Sequence, residues 1–378
     1  MSKQKTNNDY LPTIGVECHV QLKTVTKLFA AVPNDARNAE PNTLVSHICL
    51  GMPGALPVLN EKVLEYASRA AFALGVEPQK YSVFERKHYF YPDLPKGYQI
   101  SQLSQPIVVG GIVSINVDGE HRTIRINRVQ IEEDAGKSTH PMGKDYSLVD
   151  LNRAGTPLLE IVSEADIHSA EEARAYAYEL WLLMKYSGVS DVDLYHGNMR
   201  FDVNVSISDD PNKLGLRTET KNINSFRAVK KAVEYEIKRQ TELLIRGEKV
   251  IQETRGWDDA NQKTFSQRSK EDAHDYRYFP DPDIPPVEID ESYIEEVKKN
   301  MPTLPSVYRQ LYSELKLDTA TAETLLIDPR AGIFLKDIRE NSNDEAARRV
   351  ALWVVNVASI SDDLQDDAPW PVSWQNAV

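Results

Sequence analysis

Three adjacent carboxylates, Glu132, Glu133 and Asp134, open the stretch from Val129 to Glu164. Ala135-Gly136-Lys137-Ser138 follows them, a small, flexible turn with a single cation. Asp150, Asn152 and Arg153 then precede Gly155-Thr156-Pro157, and an apolar run holding Glu160 closes the stretch. Neighbouring acids repel, so a fold that gathers them needs a cation to offset the cost. Hard oxygen ligands beside a Gly-Lys-Ser turn suit Mg2+ and phosphate better than zinc. Taken alone, the triplet reads more readily as a solvated acidic hairpin than as a cation site.

A second chemical pair lies near the start. From Thr13 to Lys23, Ile14, Val16, Cys18, Val20 and Leu22 fall on one face of a strand. Glu17, His19, Gln21 and Lys23 fall on the other. Glu17 and His19 are thus neighbours on one surface, placed to ligate one ion or simply to hydrogen-bond. Cys18, on the apolar side, reads as a core residue. Arg86 to Gln102 interleaves cations with aromatics and can stack a base and hold phosphates, or fill a core with its tyrosines. Within the triplet, Glu133 shares its face with Val129 and Ile131. A carboxylate on that apolar side needs a partner or a metal, which favours Glu133 over Glu132 as a ligand.

The elements that must carry these residues are legible in outline. Helices are expected from Glu61 to Leu74 behind an Asn60 cap, from a Ser169–Glu172 capping box to about Tyr186, and from Phe226 to about Arg246 before Gly247. Ile112–Val117 and Arg122–Ile126 flank Asp118-Gly119, a hairpin signal. Arg200–Ser208 alternates, with Phe201, Val203, Val205 and Ile207 inward, and Leu216–Ile223 puts Arg217, Glu219 and Lys221 on one face. The proline run Asp281–Pro286 is the linker candidate, and short helical patterns such as Asp344–Ala358 replace strands beyond it.

Composition narrows the class. With 378 residues the chain exceeds one ordinary core, and a large first domain of residues 1–291 followed by a helical region of residues 292–378 is expected. Lys+Arg 44 against Asp+Glu 57 gives a net charge of −13, which argues against a general nucleic-acid coat but leaves room for a local basic patch. Cys18 and Cys49 are too few for a disulfide framework or a four-cysteine zinc site. No signal core or membrane-length apolar run occurs, so a cytoplasmic protein without membrane contact is expected. Gly136-Lys137-Ser138 mimics the end of a phosphate-binding loop, but Ile131 stands where its first glycine belongs.

Taken together, the motifs resemble one family. IGVECHVQL at Ile14–Leu22, CLGMPGALPVLN at Cys49–Asn60 and RKHYFYPDLPKGYQISQ at Arg86–Gln102 come first. EEDAGKSTH at Glu132–His140, SLVDLNRAGTPLLEIVSE at Ser147–Glu164, GVSDV at Gly188–Val192 and ETKNINSF at Glu219–Phe226 follow. QETRGWD at Gln252–Asp258 and DYRYFPDPDIPP at Asp275–Pro286 complete a set that resembles the GatB family, the B subunits of tRNA-dependent amidotransferases (GatCAB).

The resemblance implies an α+β catalytic domain, a curved, mostly antiparallel sheet with flanking helices of glutamine-synthetase-like type, followed by a short all-α domain. It implies a ligase that uses ATP and Mg2+ within a heterotrimer, beside the amidase GatA and the small protein GatC. The substrate would be Glu-tRNA(Gln), Asp-tRNA(Asn) or both, its side-chain carboxylate phosphorylated and then attacked by ammonia. Glu17, His19, Glu133 and Glu219 resemble the family's Mg2+ ligands, and Lys87 resembles its phosphate-meeting cation. Lys87, Glu133 and Glu219 would be the catalytic set, with Lys87 and Lys137 toward the nucleotide and Asp202 toward a metal or its waters. The cysteines that carry zinc in some relatives are missing, so no zinc is expected. Family members run on into a tail that contacts the tRNA elbow. This chain stops at Val378 as a short form or a fragment, and weak, salt-sensitive tRNA binding is expected. The rival reading is a silent scaffold that docks the amidase and binds aminoacyl-tRNA.

Overall fold

In the computed structural model, residues 9–269 and 275–356 are described. The chain forms two compact units, Met1–Met301 and Pro302–Val378. The first opens with β1 (Leu11–Gln21), α1 (Glu61–Ala73), β2 (Tyr81–Ser82), β3 (Glu85–His88), β4 (Tyr98–Ser101) and β5 (Val108–Val109). It continues through β6 (Ile112–Val117), β7 (Glu120–Glu133), β8 (Lys137–Thr139), β9 (Leu148–Asp150), β10 (Pro157–Ser163) and α2 (Ala170–Tyr186). β11 (Met199–Ser208), β12 (Thr218–Ile223), α3 (Phe226–Ile245), β13 (Glu253–Asp258) and β14 (Lys263–Ser269) follow, then β15 (Phe279–Pro280), β16 (Val287–Glu288) and α4 (Glu291–Lys299).

A nine-stranded sheet dominates, in the order β14-β13-β12-β11-β1-β10-β7-β5 with β6 added on β7. Its strands pair antiparallel throughout, except β12 with β13. The α+β class and the antiparallel sheet agree with the sequence reading. β1 is central because alternation gives it a wholly apolar side: Ile14, Val16, Cys18 and Val20 are at most 1% exposed. Helices α2 and α3 cover that side, α2 against β1 and α3 against β11. Burying each such aliphatic side chain contributes about 2 kcal/mol. Asn60, Ser169 and Ser225 cap α1, α2 and α3 by accepting from backbone N–H groups two or three residues on. Such a cap contributes about 1 kcal/mol. Asp118 and Gly119 both take positive φ, the geometry of a two-residue hairpin turn between β6 and β7. With helices on one face, Glu17, His19, Gln130, Glu160, Asp202 and Glu219 project from the other.

Three expectations need correction. The proline run Asp281–Pro286 does not link the units: Asp281 is buried against Arg86, and Val287–Glu288 pairs with Tyr81–Ser82. The division falls after Met301 rather than after residue 291, because α4 packs on α1 within the first unit. Nor is the turn after the acid triplet flexible. A Cβ on Gly136 would lie 2.8 Å from Asp150 O, and its own N–H donates to Asp93 O at 2.8 Å. Of the stretch from Arg268 to Pro280, residues 270–274 lie outside the described residues, as do the last two positions of the helix expected to reach Ala358.

The second unit contains α5 (Pro305–Glu314), α6 (Thr319–Leu326), α7 (Pro329–Asn341) and α8 (Asp344–Asn356). Its core gathers Tyr312, Leu325, Leu326, Leu335, Ile338, Ala347 and Ala351. A Cβ on Gly332 would meet the Tyr308 ring at 2.4 Å, so α7 approaches α5 as closely as only glycine permits. Among the described residues, no helix is long and apolar enough to cross a membrane.

Candidate active site

The polar face of the large sheet is built by register. Across β1–β10, His19 stands opposite Glu160, and across β10–β7 Glu160 stands opposite Gln130. On the other side of β1, Glu17 faces Asp202 and His19 faces Arg200, while Asn204 of β11 faces Glu219 of β12. Residues opposite each other in neighbouring strands point the same way, so carboxylates far apart in sequence meet in two groups.

The first group is His19, Glu132 and Glu160. His19 Nε2 lies 3.5 Å from Glu132 Oε1 and 3.7 Å from Glu160 Oε2. Burial disfavours charge on the imidazole, but Glu160 and Glu132 outweigh it and raise its pKa to about 9. Burial, then Glu160, pushes the Glu132 carboxyl up to about 7. Glu160 moves the other way: its contact with the His19 cation overcomes burial and holds it low. Protonation of the three groups is therefore shared rather than independent. Gln130, buried, donates to Glu160 Oε2 at 3.0 Å, and the Ser101 hydroxyl donates to Glu132 Oε2 at 3.2 Å.

The second group is Glu17, Asp202 and Glu219, whose ligand oxygens lie within 4.8 Å of one another, as do the ligand atoms of the first group. Lys221 Nζ donates to Glu219 Oε1 at 2.7 Å and to Asp202 Oδ2 at 2.9 Å. Glu17 accepts from the Asn204 amide at 3.0 Å, and its pKa is raised by burial, then by Glu160 and Glu219. Beside this group opens a cleft of about 350 Å³, lined among others by Gly15, Glu17, Asn204, Gly215, Leu216 and Arg217.

Lys87 on β3 faces the first group. Burial opposes its charge, yet Glu132, Tyr278 and Glu160 outweigh it and hold the ammonium above the ordinary lysine range. Its Nζ sits 5.0 Å from the Tyr276 ring centroid and 5.9 Å from that of Tyr89.

Of the residues singled out from sequence, Glu17, Asp202 and Glu219 come together, and His19 and Lys87 belong to the neighbouring group. Glu133 does not join them. Its carboxylate lies on the opposite side of β7, paired with Lys96 and accepting the Ile100 N–H at 3.0 Å. A carboxylate on the apolar side does need a partner, and Lys96 meets that need. Strand parity places Glu132, two residues from Gln130, on the His19 face instead. Asp134 is clamped by Arg200, Arg153 and Gln21, and so holds the end of the sheet together. Lys137 is exposed on the β8–β9 ribbon and belongs to neither group. Glu160, Gln130, Asn204 and Lys221 do not stand out from sequence as ligands or partners. A carboxylate inside the apolar run PLLEIVS is the one available signal for Glu160.

The chain is similar to known proteins over most of its length. A family model described as the GatB/GatE catalytic domain matches residues 12–295. The chain is 52% identical to a protein of Persephonella marina over 92% of its own length and 73% of that protein's. It is 46% identical to one of Carboxydothermus hydrogenoformans, again over 92% and 73%. A relative from an Anaeromyxobacter species is 47% identical over 98% of this chain and 77% of that protein. All three relatives carry the name of the B subunit of aspartyl/glutamyl-tRNA(Asn/Gln) amidotransferase. On matches of this extent, the chain belongs to the GatB family of amidotransferase B subunits.

Proposed function

We propose that this chain is the ATP-dependent component of a cytosolic amidotransferase that converts Glu-tRNA(Gln), Asp-tRNA(Asn) or both to Gln-tRNA(Gln) and Asn-tRNA(Asn). It works with the amidase GatA, which releases ammonia from glutamine, and with the small protein GatC. The observation that carries the reading is the pair of acidic groups on one sheet face, one beside a cleft and the other beside Lys87. The names of the relatives supply the substrate class.

The chemistry follows from the reactivity of carboxylates. A carboxylate is a poor acyl donor to ammonia, and phosphorylation supplies a leaving group. The side-chain carboxylate of the misacylated amino acid attacks the γ-phosphorus, ADP leaves, and an acyl phosphate forms. Ammonia then adds to the carbonyl carbon, the carbon–oxygen bond breaks, and phosphate departs carrying the former carboxylate oxygen.

The donor set fits magnesium. Glu17, Asp202 and Glu219 offer only hard oxygens, and Asn204 Oδ1 at the same place is buried without a hydrogen-bond partner. His19, Glu132 and Glu160 form a mixed nitrogen and oxygen set to which Mg2+ is less suited. Glu17, Asp202 and Glu219 would hold Mg2+, which would supply positive charge to phosphoryl oxygens and to the approaching carboxylate. Lys87 stays protonated under the influence of Glu132 and Glu160 and meets the transferring phosphoryl group. The tyrosines around it limit water, which protects the acyl phosphate. The cleft beside Glu17 receives the nucleotide, with Arg217 at its rim. No zinc enters this reading.

The test is ADP formation by the assembled complex with ATP, Mg2+ and either misacylated or correctly charged tRNA. Cleavage that requires the misacylated tRNA supports the reading. ATP left intact under all these conditions reduces the chain to a scaffold for the amidase.

A further inference from the structure

β12 carries Glu219 and Lys221 two residues apart, so both side chains stand on the acidic face of the sheet. The lysine ammonium bridges the two strands, 2.7 Å from Glu219 Oε1 and 2.9 Å from Asp202 Oδ2. The other oxygens of this pair are also engaged. Asp202 Oδ1 accepts the Asn222 N–H at 2.7 Å, and Glu219 Oε2 accepts the Thr254 hydroxyl at 3.2 Å.

This bridge is built into the backbone. The β11–β12 register shifts between Phe201 and Val203, and Asn222 adopts a φ of 59°. A bulge with a left-handed asparagine is held only where its surroundings fix it, and here it aims an N–H at Asp202. Glu17, the third acid, has its Oε1 on Asn204, and the two carboxylates that Lys221 contacts are Asp202 and Glu219.

We infer that Lys221 is a resident counter-ion that holds Asp202 and Glu219 together until an incoming divalent cation displaces it. The inference rests on the reading of Glu17, Asp202 and Glu219 as a cation site. A magnesium ion binds carboxylate oxygens at about 2.0–2.1 Å, and an ammonium on those same oxygens would sit too close to it. Lys221 is the member free to leave, because its side chain is 35% exposed and ends a flexible four-carbon stem. Cation uptake is therefore an exchange of one positive charge for another. The acidic group stays ordered without metal, and its affinity for a bare cation is lower than three carboxylates alone would give.

Two measurements on the full chain test this. Mn2+ binding, followed by the paramagnetic signal of the free ion, is compared between wild type and Lys221→Met. Removing one competing charge at contact distance should tighten binding about tenfold. In the wild type, acetylation of Lys221 by a water-soluble reagent, read by peptide mass spectrometry, should accelerate several-fold when Mn2+ is added. Equal or weaker binding by folded Lys221→Met overturns the exchange and leaves the cation site standing. Should the variant not fold, a wild-type Lys221 reactivity that Mn2+ leaves unchanged overturns it instead. Failure of wild type to bind Mn2+ at all removes both the cation site and the exchange.

Discussion

Glu17 and Glu219 bring carboxylate oxygens within 4.8 Å of one another although β11 separates their strands. Burial and the carboxylates of Glu160 and Glu219 raise the Glu17 pKa in the folded chain. A raised acid pKa means that the ionised group opposes folding at neutral pH. Glu17→Gln should therefore raise the melting temperature of the metal-free protein, by about 2 °C. The same change should remove most of the extra stabilisation that Mg2+ confers. Thermal unfolding with and without Mg2+ checks both halves. A variant less stable than wild type in the absence of metal would contradict the like-charge account.

The two adjacent glutamates of the triplet should behave differently. Glu132 shares a face with His19 and Glu160, whereas Glu133 is committed to Lys96 and the Ile100 N–H. Glu132→Gln should weaken Mn2+ binding at the mixed His19, Glu132 and Glu160 set about tenfold while leaving the Glu17, Asp202 and Glu219 set intact, and Glu133→Gln should leave both within about twofold of wild type. Glu133→Gln should instead destabilise the fold, by about 3 kcal/mol, because it leaves Lys96 buried without its charge partner. Mn2+ titration and chemical unfolding of both variants decide the matter. Loss of cation binding in Glu133→Gln alone would restore that residue as the ligand.

The cleft should depend on one glycine. A Cβ on Gly215 would lie 2.0 Å from Ile207 O, so Gly215→Ala must push residues 214–217 away from β11. Leu214, Leu216 and Arg217 line the cleft and move with it. Nucleotide affinity should fall about tenfold, while Mn2+ binding at the acidic groups persists. Equilibrium binding of ADP is the measurement, and an unchanged constant would remove the nucleotide from this cleft.

Glu236 supplies a pH signature on the helix side of the sheet, opposite the acidic groups. It is fully buried and accepts from Thr218, Gln240 and Arg239. Burial opposes its charge, but the hydrogen bonds from Arg239, Thr264 and Thr218 prevail and hold the carboxyl below the usual glutamate range. A depressed acid pKa contributes stability that is present above the unfolded value and is lost as pH falls through the folded one. Glu236→Gln should cost about 3 kcal/mol at neutral pH. The gap to wild type should shrink as pH drops below about 4. Urea unfolding across pH tests this, and a gap that widens on acidification would contradict it.

Strand identity was legible in the sequence because alternation is local. Ile14, Val16, Cys18 and Val20 declare a buried face, and Glu17 and His19 necessarily take the other. Register was not legible. That His19 meets Glu160, and that Glu17 meets Asp202, depends on pairings between strands with long connections, which no local pattern encodes. Glu133 looked the better ligand because an acid on an apolar face demands a partner, and Lys96 is not recognisable as that partner without the packing of β4 on β7. The proline run misled for a similar reason: stiffness resembles a linker until Arg86 is seen to bury Asp281. Lys221 was visible on the same face as Glu219, but its bridging role depends on the bulge at Asn222.

The central claim, that this sheet face activates a carboxylate by phosphorylation, is tested most directly by isotope transfer. Glu-tRNA(Gln) labelled with oxygen-18 in its side-chain carboxylate is converted by the assembled complex with ATP, Mg2+ and glutamine, and the released phosphate is analysed by mass spectrometry. The account predicts one oxygen-18 atom in phosphate for each amide formed, and loss of that transfer in Glu219→Gln. Amide formation that leaves the phosphate unlabelled would contradict it.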